Sequence, residues 1–329
     1  MPPTASLPVS TWSNPGTTAS AEQPAPSPVT PHRLSWQARK ARAWCCGLTP
    51  ALLVLGAITL LPLLTLLSVS LTPLSLTSPK ESFHFSEPLG NFIHLLRDDR
   101  FLNSLLVQAK LSISGVSMQL LIGLGLALLL NTSTHTSHSV RTALLIPMVL
   151  PPIVVALVWK IIYTPDISPV HALLEQWGWP LRSLITNPDT ALWALVVADT
   201  WQWFPFTMLM VLAQLQMVPR DPLDAARMDG ASRWQVFRFI VLPYLQQTLV
   251  VCALFRLIDS FKAFPLLYIL TQGGPGTVTE VTNYYGFIQA FNFSYWGYGS
   301  AIAVVMLMGV LALSWLITRW SIQGESHAR

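Results

Sequence analysis

Arg256, Asp259 and Lys262 stand three residues apart inside an otherwise apolar run, the spacing that puts charges on one face of a helix. A charge at the centre of a bilayer costs about 2.5–3.5 kcal/mol on insertion scales, so these side chains must face protein or water. Asp259 can pair with both basic neighbours. Two roles fit: a structural ion-pair ladder between helices, or the polar lining of a solute path. Trp201, Gln202 and Trp203 form a second combination. Aromatic faces stack on the C–H surfaces of sugars and an amide bonds hydroxyls, although tryptophan in a span also serves as packing or as an interfacial anchor. Gly273, Gly274 and Pro275 have the composition of a turn.

Other chemistries find no support. No nucleophile–base pair, paired carboxylates or metal cluster lies at a consistent membrane depth. His135 and His138 are three apart but lack further ligands nearby, which reads as a solvated loop and no metal site. No G-x-x-x-x-G-K-[ST] loop is present, so the chain is not itself expected to hydrolyse ATP. Cys45, Cys46 and Cys252 show no metal or disulfide spacing.

The elements that must hold these residues follow from composition. Of 329 residues, 52% are hydrophobic and only 10% charged, too few to cover a water-exposed surface. Six apolar segments, 45–71, 105–130, 143–163, 191–215, 246–271 and 298–317, are each long enough to cross roughly 30 Å of hydrocarbon as a helix. The class expected is all-α, a polytopic membrane protein with six transmembrane helices. Residues 1–44, rich in Pro, Ser, Thr and Ala at their start, read as a disordered cytoplasmic tail; 45–320 form the membrane domain and 321–329 a short tail. With the N-terminus inside, the cytoplasmic segments hold eleven Lys and Arg and the external ones four, which places both termini in the cytoplasm. Pro147, Pro151 and Pro152 predict a kink in the third span.

The connection 218–245 between spans four and five is cytoplasmic by this orientation, and its chemistry spells two short helices. Asp221 is positioned to cap the first, Gly230 to end it in the left-handed conformation, Ser232 and Gln235 to form a capping box on the second, and Pro243 to limit that helix. Small residues on the first helix and Trp234, Phe237 and Ile240 at helical spacing on the second make it a stiff protrusion suited to docking.

Within this loop Asp224, Ala225, Ala226, Gly230, Ile240, Leu242 and Pro243 match in every spacing the signature of the ABC importer permeases, with Asp224 where that family usually has glutamate. The chain resembles that family from about residue 48 to 317, with its core at 102–318. Asp99-Arg100-Phe101, Trp159-Lys160, the stretch 187–192, the stretch 256–264 and the Gly-Gly-Pro turn are similar to permeases of the maltose and glycerol-phosphate type. The resemblance implies a type I importer fold in a bacterial inner membrane, and a loop that couples to an ATPase subunit. It implies as partners a second permease, two ATPase subunits carrying ATP and Mg, and a solute-binding protein met near Gly273, Gly274 and Pro275. It implies transport of a sugar or glycerol-phosphate-like solute by alternating access. Polyamine importers share the loop. A secondary transporter, the competing class, would need no such loop and often shows an inverted repeat, of which there is no sign.

Overall fold

Apolar runs of this length satisfy their backbone in lipid as helices, and the computed structural model is helical in all six, with breaks in the third and fifth. It describes residues 32–75, 85, 87–131, 135–178 and 183–326. Most of the N-terminal tail, together with the side chains of Cys45 and Cys46, lies outside the described residues. The chain divides into two units, Met1–Leu60 and Leu61–Arg329. Helix α1 (His32–Ser70) begins thirteen residues before the apolar run at 45, because 32–44 are rich in Arg, Ala, Leu and Gln, all good helix formers.

In the second unit α2 (Gly90–Arg97) is a short amphipathic helix and α3 (Asp99–Leu130) a long span. Asp98 separates them and accepts hydrogen bonds from the Arg100 and Phe101 N–H groups, an N-cap that starts α3 six residues before its apolar run. Residues 135–142, read from the sequence as part of the loop holding both histidines, instead belong to α4 (His135–Leu144), followed by α5 (Ile146–Val149) and α6 (Pro152–Tyr163). The predicted kink is a break: the axes of Ser137–Val149 and Pro152–Tyr163 meet at 98°. Pro151 and Pro152 withdraw two successive backbone donors and bias Leu150 toward extended backbone, which it adopts at ψ 138°. After α7 (Pro169–Gln176), Asn187 caps α8 (Pro188–Gln216). The fold continues through α9 (Arg220–Met228), α10 (Arg233–Val236), α11 (Leu242–Ser260), α12 (Phe264–Leu270), α13 (Thr282–Phe287) and α14 (Trp296–Ser326). Five helices pass as membrane spans, six if the bent pair counts as one.

Two departures concern the site directly. The fifth span, expected unbroken to 271, ends at Ser260, and residues 261–263 separate it from α12. Helix α14 continues through Ser326, beyond the predicted domain end at 320.

Helices α3 and α8 make the central crossing. Gly123 sits where a Cβ would come within 2.6 Å of the Thr207 Cβ and 2.9 Å of the Met208 backbone nitrogen, so only glycine permits this approach. One apolar cluster (Val155, Ala156, Leu195, Leu267) joins α6, α8 and α12. A second, around Met208 and Leu245, joins α3, α8 and α11, and a third, around Leu95, Tyr285 and Ile302, closes the end where α1 stops and α14 starts.

Candidate functional site

Helix α3 carries polar residues at four-residue spacing on its bundle face: Ser104, Gln108 and Ser112 are all buried. Ser104 meets Thr282 at 3.4 Å, Gln108 donates to the Ser260 carbonyl at 3.3 Å, and the Ser112 and Ser260 hydroxyls are 2.5 Å apart. Further along, Gln119 opens the ionic centre. Its Nε2 donates to Asp199 Oδ2 at 2.7 Å and its Oε1 accepts from Arg256 Nε at 2.8 Å. Arg256 also donates from Nη1 to Asp259 at 2.5 Å, faces Asp199 at 3.5 Å through Nη2, and lies over the Trp203 ring at 4.3 Å. Three spans, α3, α8 and α11, thus meet on one guanidinium. Its planar fork gives each nitrogen a partner, which lysine could not do.

Exposure divides the centre in two. The Arg256 side chain is 3% exposed and Asp199 9%, whereas Asp259 is 40% exposed. Arg256 is therefore saturated, and Asp259 is the charge offered outward. Lys262, expected on the same helix face, falls in the break after α11. It is exposed and forms no ion pair with Asp259, so the three-charge ladder is not made. Leaving the helix at Ser260 ended the periodicity on which that expectation rested.

Of the tryptophan segment, Trp203 reaches the centre and its neighbours do not. Trp201 packs edge-on to Trp159 with centroids 5.8 Å apart, at the rim of the first apolar cluster. Gln202 is buried and its Nε2 lies 3.5 Å from the Leu150 carbonyl, the group stranded at the proline break. Gln119 and Asp199 were missed from the sequence. Asp199 was legible as a carboxylate in an apolar span, a functional signal by default. Gln119 carried no such mark, since an amide in a span is common.

The second feature is the elbow formed by α9 and α10. Helix α9 ends in a Schellman motif: Ala231 N–H donates to Ala226 O at 2.9 Å and Gly230 N–H to Arg227 O at 3.1 Å, with Gly230 at φ +77°. Ser232 and Gln235 make the reciprocal capping box, at 2.7 and 3.3 Å. Two expectations change. Pro219, not Asp221, stands at the N-cap, and Asp221 lies in the first turn, where its charge still favours the helix N-terminus. Pro243 does not end the second helix. A π-helical turn, Phe237–Val241, leads directly into α11, where Pro243 occupies the first turn and needs no donor. Ala225 and Asp224 are exposed, Ala226 and Ile240 half-buried, and an exposed Arg227–Asp224 pair spans 3.1 Å. A cavity of about 380 Å³ opens between the two short helices beside Ala226, Gly230 and Ile240. Met228, Trp234 and Phe239 are strongly exposed around it.

The turn after α12 is packed. Gly273, at φ +81°, is buried against Tyr284, and Thr279 Oγ1 donates to the Gly274 carbonyl at 2.7 Å, leaving Gly274 and Pro275 half-buried. Arg100 holds the segment to α3 by a bidentate pair with buried Glu280, at 2.8 and 2.9 Å. Ser168, the N-cap of α7, accepts the His171 N–H at 3.2 Å.

A bundle of spans around a buried ion centre, with a capped elbow at one end, is the architecture of a membrane transport subunit. Residues 119–321 match the family of binding-protein-dependent transport system inner membrane components, and the chain belongs to that family, a multi-pass permease subunit. Relatives include the trehalose/maltose transport system permease protein MalF of Thermococcus litoralis, 32% identical over 84% of this chain and 92% of that protein. Another is the sulfoquinovosyl glycerol transport system permease protein SmoG of Agrobacterium fabrum, 34% identical over 82% of this chain and 86% of its own length. In fold, the chain is similar to a chain of a crystallised bacterial ABC transporter that imports the acidic polysaccharide alginate. The TM-score is 0.76 at 19% identity, covering 88% of this chain and 99% of that one.

Proposed function

We propose that this permease forms half of the path for a neutral sugar-type solute and is driven through the elbow by a separate ATPase. The reading rests above all on one feature: the elbow and the ion centre share a helical run. Residues Arg233–Ser260 form one continuous helical run of 28 residues with the π turn Phe237–Val241 near its start, which at about 1.5 Å per residue spans roughly 42 Å. A push on the elbow therefore displaces Arg256 and Asp259 with little loss to bending. In this reading Asp224, Ala225, Ala226, Gly230, Ile240, Leu242 and Pro243 form the seat for the ATPase, and ATP and Mg bind there and not on this chain. A second, homologous permease closes the path, a solute-binding protein delivers solute near Gly273, Gly274 and Pro275, and both termini are cytoplasmic.

Charge favours a neutral solute over a glycerol phosphate. Arg256 is consumed by Gln119, Asp199 and Asp259, and the two carboxylates equal Arg256 and Lys262 in number. Lys262 is then, among the described residues, the one exposed cation beside the centre, where a phosphate calls for several convergent cationic donors, whereas an exposed carboxylate such as Asp259 accepts from sugar hydroxyls. The name of one relative, a trehalose/maltose permease, supports the same class, while that of another, a sulfoquinovosyl glycerol permease, supports a glycosyl solute but one with a sulfonate charge. Trp201 and Gln202 act behind the wall, by their packing.

Gly230→Pro and Asp224→Lys, assayed by uptake of radiolabelled trehalose and maltose in cells carrying the assembled importer, are expected to abolish uptake with normal membrane insertion. Unimpaired uptake by both variants would refute the coupling role. Glycerol 3-phosphate should fail to compete, and effective competition by it would refute the neutral-solute reading.

A further inference from the structure

A second cavity of about 390 Å³ lies at the end of the bundle where α1 stops and α14 begins, in the size range of small-molecule sites. Asn91 and His94 of α2, Tyr285 and Gln289, and Tyr295 and Tyr298 line it, with none of the ion-centre residues among them. No lining residue is Lys, Arg, Asp or Glu, and His94 is the single basic side chain, where phosphate and sulfate sites gather several cationic donors. The aromatic walls are fixed. Tyr285 and Tyr298 hydroxyls both donate to Asp98 Oδ2 at 2.5 Å, and the His94 ring meets Tyr298 edge-on at 5.0 Å. Asn91 Nδ2 is spent on the Ser70 and Thr72 carbonyls, both at 2.9 Å, which leaves its oxygen as an acceptor. Three tyrosines and a histidine also suggest a cage for a quaternary ammonium ion, but Arg100 already stands over the Tyr285 ring at 5.5 Å and would repel one.

What remains is a pocket of ring faces, amides and a phenol, with no lysine, arginine or carboxylate in its lining. We propose that it is an outer-side subsite for a neutral glycosyl ring, separate from the Arg256–Asp259 centre, with the ring stacked on tyrosine and its hydroxyls bonded by Gln289 and Tyr295. Its outer placement and link to transport rest on the permease reading above; its chemistry does not. A free sugar and a glycolipid headgroup both present such a ring.

The test labels the full chain with 3-fluorotyrosine in phosphatidylcholine nanodiscs and assigns the Tyr295 ¹⁹F resonance by its loss in Tyr295→Phe. Titration with maltose or trehalose should shift that resonance saturably. Gln289→Ala should weaken the response at least about five-fold, and Asp259→Asn should leave it intact. Nanodiscs carrying diglucosyl diacylglycerol distinguish the sources: a shift in those alone assigns the ring to a lipid headgroup. Absence of a shift with either sugar and with the glycolipid overturns the proposal, as does a shift produced by tetramethylammonium and by no sugar. Sugar uptake is measured separately. A Tyr295 response without uptake counts against the transport reading alone, and uptake without a response counts against this subsite alone.

Discussion

At the scale of the residue, Arg256 is a buried side chain held by partners on three helices. Its replacement by Met or Ala strands Asp199 among three spans, and removal of one partner from a buried pair costs about 3–5 kcal/mol. We expect Arg256→Met to lower the melting temperature of the detergent-solubilised protein sharply, with Asp199→Asn in the same chain restoring part of the loss. An unchanged melting temperature in the single variant would mean the centre contributes nothing to folding. Arg256→Lys should resemble the methionine variant, since one ammonium cannot serve Gln119, Asp199 and Asp259 together. Glycines differ likewise. A Cβ at Gly115 meets two side-chain ends, Asp199 Oδ2 at 3.3 Å and Gln119 Nε2 at 3.7 Å, whereas at Gly123 it meets backbone at 2.9 Å. Gly123→Ala should therefore destabilise by about 1–3 kcal/mol and Gly115→Ala by less. Thermal denaturation of the two variants ranks them.

At the scale of the element, the π-helical turn Phe237–Val241 sets how the elbow faces relative to α11. Such a turn amounts to one residue inserted into an α-helix, and each inserted residue rotates the adjoining segment by roughly 100°. Deleting Phe239 should restore regular α-helix, swing α9 and its Schellman cap to a new azimuth and abolish uptake, while insertion and the Arg256 centre survive. Normal uptake by the deletion variant would show that the turn does not set the coupling geometry. The sequence located this elbow, its stop at Gly230 and the Ser232–Gln235 capping box, but not Pro219 at the N-cap of α9. It could not reveal the π turn, because Pro243 is compatible both with a helix stop and with the first turn of a new helix, and only the packing of Leu245 into the second apolar cluster selects the latter.

At the scale of the molecule, one end of the bundle is tied together by polar bonds between distant segments. Asn91 donates to the Ser70 carbonyl at the end of α1 and to the Thr72 carbonyl just beyond it, Gly297 N–H donates to Leu74 O at 2.9 Å, Arg100 holds Glu280, and Asp98 gathers Tyr285 and Tyr298. Burial pushes the Asp98 carboxyl up, but the tyrosine hydroxyls and the Phe101 and Arg100 N–H groups outweigh it and hold it below the ordinary value. A carboxylate whose pKa is depressed by folding stabilises fully above its unfolded pKa, about 3.9, and loses that contribution as pH falls through the lower folded value. Hydrogen exchange of α2 and the first turns of α14 should therefore be slow and flat from pH 7 to pH 5 once corrected for intrinsic rates. Asp98→Asn should raise exchange across that whole range. Protection that fades between pH 7 and pH 5 in the wild type would contradict the assignment.

Length, hydropathy and the spacing of short polar signals fixed the local answers: helical spans, the capped elbow with Gly230 at its left-handed corner, and a charged patch in span five. These depend on neighbours along the chain, where rise per residue and backbone hydrogen bonding leave few choices. Partnership across the bundle was another matter. Asp199 and Gln119 lie 57 and 137 residues from Arg256, and nothing local to them specifies that meeting; the α3–α8 approach at Gly123 does. The same holds for Lys262, which helical periodicity places beside Asp259 and the end of α11 at Ser260 removes. Tertiary packing decided which charges are spent and which are offered, because the energy of a buried charge is set by the partners that surround it.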